Sequence, residues 1–184
     1  MIIGLAFITE LLAVYFTKAF HFKTNVPVYN VFMLIEFWGY GLYFYKIVTL
    51  MLLRRIIKFF LFVFPLFWFI TTLLLFKLTT WNSYSIIVGS FFTICFAVSH
   101  YYQFFTSNSL ASISLKKHSE FWISTGLIVF YSCQLPYVGM LNFLIKNYPG
   151  LATGLLPLLQ IFNVIMYSIF IYAFICQIPR LKKF

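Results

Sequence analysis

The stretch VFMLIEFWGYGLYFY, residues 31–45, sets a carboxylate, Glu36, in the middle of an otherwise oily run. The chain carries three acidic residues, Glu10, Glu36 and Glu120, and no aspartate. A charged acid at the centre of a bilayer costs about 2.5–3.5 kcal/mol, so such a group faces protein, a partner subunit or water and marks a candidate site for binding a polar ligand or passing protons. Helical spacing places Phe32, Gly39, Tyr40 and Tyr43 on the face of Glu36. Gly39 permits close helix approach, and the tyrosines offer hydroxyl donors. Three other stretches offer polar partners at the same spacing. They are Ala6, Glu10, Ala13 and Thr17; Tyr131, Gln134 and Tyr137; and Thr153, Gln160, Asn163 and Tyr167. The expectation is a polar pocket lined by Glu10, Glu36, Tyr40, Gln134, Gln160 and Asn163 that holds a small molecule or relays protons. Against it stands a plainer reading for the amides, interhelical hydrogen bonds worth about 0.6 kcal/mol each.

A second group combines His100 and Gln103 with His118, Ser119 and Glu120. Its H-x-E spacing is shared with zinc deaminases, but the P-C-x-x-C partner is absent. A His/His/Glu metal site would be chemically sound. The preferred reading is interfacial histidines, with Ser119 or His118 capping a helix whose dipole favours Glu120. The chain has no G-x-S-x-G, Walker A or H-E-x-x-H motif, and without aspartate it lacks the ligands for aspartyl proteolysis or Asp-rich metal chemistry. Cys95, Cys133 and Cys176 lie within apolar runs without CxxC spacing and read as packing residues. The expectation is therefore a protein that is not an enzyme and has no metal or cofactor.

These residues must be positioned by helices in lipid. Of 184 residues, 63% are hydrophobic and only 9% charged, too few charges to cover a water-soluble surface. The apolar runs are continuous, which favours helices over the alternating strands of a barrel. With about 20 residues per span, the sequence reads as an all-α polytopic transmembrane helix bundle of six spans, one domain over residues 1–184. The spans fall near 1–20, 28–46, 59–76, 84–105, 120–141 and 151–177. The first lacks the basic n-region and cleavage site of a signal peptide and reads as a helix. An apolar linker with Arg54, Arg55 and Lys58 follows the second span, as an interfacial turn or an extension of a neighbouring helix. Pro136 and Pro157 would open the fifth and sixth spans.

The net charge of +10 does not point to nucleic acid, because the 13 Lys and Arg cluster at the ends of the apolar runs. Lys46, Arg54, Arg55, Lys58, Lys116, Lys117, Arg180, Lys182 and Lys183 fall on one side, and Lys18, Lys23, Lys77 and Lys146 on the other. The positive-inside rule puts the larger set, and both termini, in the cytoplasm of a cell whose inner membrane holds the protein. Glu36, Gln134, Gln160 and Asn163 then lie in the outer half of the membrane. Glu36-Phe37-Trp38 and Glu120-Phe121-Trp122 share three residues, too few to mark an inverted repeat.

Asn25-Val-Pro-Val-Tyr-Asn-Val-Phe followed by Glu36-Phe37, together with Phe121-Trp-Ile-Ser-Thr-Gly, Tyr131 and the short basic tail, resembles a family of multi-pass integral membrane proteins of Bacteroidota-type bacteria. The resemblance covers most of the chain and implies a seven-span family, of which this chain would be either a shorter version lacking the first helix or one whose start is placed too late. It lends topology and no mechanism, and it makes Asn25, Pro27, Glu36, Trp122 and Gly126 the positions to test first. The functional expectation is a ligand-sensing or complex-forming subunit that works with other membrane proteins in the lipid bilayer. The alternative is a small-solute or proton-coupled carrier using the intramembrane glutamates.

Overall fold

A computed structural model describes residues 25–76, 80–106 and 118–181, together with Tyr15. Five helices follow one another: α1 (Val26–Ile47), α2 (Met51–Ile70, extended by a π-helical stretch, Thr71–Phe76), α3 (Ser83–Thr106), α4 (Ser119–Asn147) and α5 (Pro149–Leu181). There is no strand among the described residues. The expected first span, Tyr15 excepted, lies outside them, and Glu10 with it. α2 to α5 are each long and apolar enough to cross a membrane. α1, at 22 residues, is also long enough at about 1.5 Å per residue, but Asn30, Glu36, its tyrosines and Trp38 make it less oily. Burial explains that composition, because Asn30, Met33, Phe37, Tyr40, Gly41 and Phe44 all face the interior.

The helices run alternately up and down. At one end Val48–Leu50 joins α1 to α2, the Thr49 backbone N–H donates to Gln103 Oε1 of α3, and Phe104 meets His118 at the start of α4. Lys46, Arg54, Arg55 and Lys58 are exposed here, so this is the basic end. At the other, Asn30 meets the α2–α3 connection, Asn142 of α4 donates to Ser83, and Tyr148 alone separates α4 from α5. The helix beginning at Met51 resolves the apolar linker as an extension of the following helix, with all three of its basic residues on the first turns.

Two prolines expected to open helices do not. α4 continues through Pro136 and α5 through Pro157. Pro65, inside α2, shows how such a residue is accommodated. Proline has no N–H, so the carbonyl four residues back loses its helical donor. That carbonyl belongs to Leu61, and the Trp38 indole N–H of α1 donates to it at 3.2 Å. We expect Trp38→Phe to lower stability by about 1 kcal/mol, and to cost much less in a Pro65→Ala background, where the backbone donor returns. Equal losses in the two backgrounds would show that the indole does not serve the proline.

The core is largely aromatic. Phe37, Phe44, Phe60, Phe64 and Phe96 are buried, with Phe60 at 5.0 Å from Phe64 and Phe37 at 5.7 Å from Phe64, centroid to centroid. Rings fill volume with little rotamer entropy to lose, which suits a bundle whose outer face gains nothing from water.

Candidate functional site

Glu36 lies on α1 near mid-bundle and is half-buried. The Tyr40 hydroxyl, one turn on, donates to its Oε1 at 3.0 Å. Tyr40 is 1% exposed and meets Tyr131 of α4 edge to face, centroids 5.9 Å apart. The Tyr131 hydroxyl lies within electrostatic reach of both Glu36 and Tyr40, and Tyr167 of α5 within reach of Tyr40. Three helices thus deliver one carboxyl and three phenols to one place. The spacing explains how. Positions 36 and 40 share a face of α1, and Tyr131 follows buried Leu127 by one turn of α4.

The Tyr131 hydroxyl is a hydrogen-bonding neighbour of Glu36 and Tyr40, whereas Gln134 Oε1, three residues on, is buried and has no hydrogen-bond partner among the described residues. Such an atom costs about 1–3 kcal/mol when left unpaired, and it calls for an explanation such as a ligand or an ordered water. Tyr137, the third residue of that expected line, is already spent, because its hydroxyl donates to the Ala152 carbonyl at 3.1 Å.

The α5 residues divide. Asn163 is half-buried, one turn before Tyr167, whereas Gln160 is exposed and does not join the pocket. The inward line of α5 runs through buried Ala152, Met166 and Ala173, with Leu159 between them in seven-residue steps. Gln160 sits one residue off that line, which turns it about 100° away. Thr153, also exposed, bonds back to the Pro149 and Gly150 carbonyls.

At the basic end, His118 occupies the N-cap position of α4 without a capping hydrogen bond from its side chain. Its ring packs on Phe104, centroids 5.1 Å apart, and its Nδ1 lies 3.8 Å from Glu120 Oε2. His100 pairs instead with Ser124 Oγ through Nδ1 at 3.2 Å. No group of three metal-ligating side chains comes together among the described residues, so the His/His/Glu arrangement is not formed there.

A further polar cluster escaped the sequence reading. Asn82 caps α3 by accepting from Ser85 N–H at 3.1 Å. Its amide donates to Thr71 Oγ1 at 2.7 Å and Thr72 Oγ1 at 2.8 Å, and Asn30 Oδ1 accepts from its backbone N–H at 3.3 Å. Asn30 donates to the Thr80 carbonyl at 2.9 Å, and Trp68 Nε1 donates to the Asn30 carbonyl at 3.0 Å. The π-helical stretch brings Thr71 and Thr72, adjacent in sequence, to the same amide. The signal was present as Asn30, Thr71-Thr72 and Asn82-Ser-Tyr-Ser, an N-cap pattern, but nothing in the sequence said that the three meet. The cluster is internally bonded and reads as a tie among α1, α2 and α3.

Comparison with protein-family models, with curated proteins and with solved structures gives no match for this chain.

Proposed function

We propose that this is a non-enzymatic multi-pass inner-membrane subunit that senses a small polar ligand in a pocket built around Glu36, Tyr40, Tyr131 and Gln134, and that transmits occupancy through partner membrane proteins. The observation carrying this reading is that Glu36 gathers the phenols of Tyr40 and Tyr131, while Gln134, three residues beyond Tyr131 on α4, keeps a buried oxygen with no hydrogen-bond partner among the described residues. In the proposed topology both termini are cytoplasmic, the basic end faces the cytoplasm, and the first span completes six. Membership in the Bacteroidota-type family belongs to the same proposal. The ligand would be one that supplies a donor to Gln134 Oε1, a small hydroxylated or amide-bearing molecule. The carrier reading has less support, because the carboxyl and imidazole groups described above lie from Glu36 toward the basic end, whereas a carrier needs access from both sides.

Native mass spectrometry of the protein released from its own membranes tests this. We expect a bound small molecule on the wild type that is lost in Glu36→Gln and in Tyr131→Phe, with folding retained. A ligand-free wild type that also purifies without a partner removes the proposal. Glu36-dependent uptake of solute into proteoliposomes would favour the carrier.

A further inference from the structure

The ionisable and hydroxyl side chains of the described residues are distributed unevenly about Glu36. Toward the basic end, α1 carries Tyr40 and Tyr43 at four and seven residues from Glu36, which brings the second about 10 Å along the axis. The Tyr43 hydroxyl is buried, has no hydrogen-bond partner among the described residues, and lies within electrostatic reach of Glu120. Glu120 in turn neighbours His118 at 3.8 Å and lies within electrostatic reach of His100. His118 is 8% exposed and its Nε2 is also unpartnered. Glu120 itself is partly exposed, which opens the series to solvent at that end. Toward the other end, Gln134 offers an amide that does not titrate, the Tyr137 hydroxyl is committed to the Ala152 carbonyl, Met33, Ile86 and Val138 are buried and apolar, and beyond them lies the Asn82 cluster, made of amides and hydroxyls that do not titrate near neutrality.

We propose that Glu36 exchanges its proton with the basic end of the bundle alone, along Tyr40, Tyr131 and Tyr43 to Glu120 and His118. The groups facing this line are Tyr167 from α5, within reach of Tyr40, and His100 from α3, within reach of Glu120; α2 contributes phenylalanines. In the transfer, the O–H bond of the Glu36 carboxylic acid breaks and a proton is gained by the Glu120 carboxylate or the His118 imidazole. Each phenol gives one proton, takes one and ends unchanged. Tyr131 joins Glu36 and Tyr40 directly, and the unpartnered atoms of Tyr43 and His118 are the positions where mobile buried water would bridge the line, since a buried water needs two to four polar partners. The inference rests on the Glu36 site proposed above and gives that site a sense of direction, so that its protonation follows the basic-end solution.

Infrared spectroscopy of the carboxylic acid C=O stretch tests this on the full chain in sided vesicles. The band missing from Glu36→Gln identifies Glu36. A pH step on the basic-end side should change that band, and the same step on the opposite side should not. Tyr43→Phe should slow the response at least tenfold without moving the final amplitude, and His118→Gln should slow it less. A response to the opposite side, an unchanged rate in Tyr43→Phe, or a Glu36 band that follows neither side would each overturn the inference. None of these outcomes touches ligand binding, which the mass measurement reads separately.

Discussion

Gly89→Ala should destabilise the bundle by about 1–3 kcal/mol, the usual cost of forcing atoms into a filled core. A Cβ built on Gly89 of α3 runs into the Phe37 ring of α1, with two further ring atoms at 2.6 Å. Rotation of the ring would not relieve this. Phe37 is 1% exposed and is held between Phe64 at 5.7 Å and Tyr131 at 5.4 Å. The helices must separate, or Phe37 must leave its rotamer and disturb the Tyr131 contact beside Glu36. Shortening the ring should relieve the clash. In equilibrium unfolding from mixed micelles, Gly89→Ala combined with Phe37→Leu should cost clearly less than the sum of the two single changes. Strict additivity would mean that Gly89 matters for a reason other than the Phe37 contact. Gly41 makes a useful control, since its nearest neighbour is Leu61 Cδ2 at 2.8 Å, the far end of a side chain that can move.

Asn82→Ala should cost about 2–3 kcal/mol. It removes an N-cap, worth about 0.5–2 kcal/mol, and strips the Thr71 and Thr72 hydroxyls of a shared donor. Average interhelical hydrogen bonds in membrane proteins are weak, about 0.6 kcal/mol. Asn82 differs because one side chain serves three partners on two segments, and those partners are buried. Thr71→Val and Thr72→Val together should cost less than Asn82→Ala, because they leave the cap to Ser85 in place. Added to Asn82→Ala, the valines should cost little more. A triple variant that loses the full sum would show that the residues do not act as one unit.

Other helices differ in how directly their interior could be read from residue order. The Glu36–Tyr40 contact is local, because two residues four apart on a helix are neighbours wherever the helix lies. The Gly89–Phe37 and Asn82–Thr71 contacts depend on which helices meet and at what height, and pattern within a helix carries no such information. Gln160 shows the limit from the other direction. Its line with Thr153 and Tyr167 is a true helical stripe, yet the register of α5 against α4 turned that stripe partly outward.

The residue order alone determined that the described chain would be helical and built for an apolar surround, that Glu36 and Tyr40 would share one helix face, and that the positive charge would gather at run ends. Those properties follow from composition, from period and from the cost of an unpaired acid in oil, all of which act within one segment. Tertiary structure decided that Tyr131 and Tyr167 come to the Glu36–Tyr40 pair, that Gln160 does not, that a Trp38 indole serves the carbonyl exposed by Pro65, and that Asn82 joins three helices. In an apolar surround every face of these helices is oily, so hydrophobic pattern barely distinguishes inside from outside, and the close fit of rings, glycines and amides settles which faces meet.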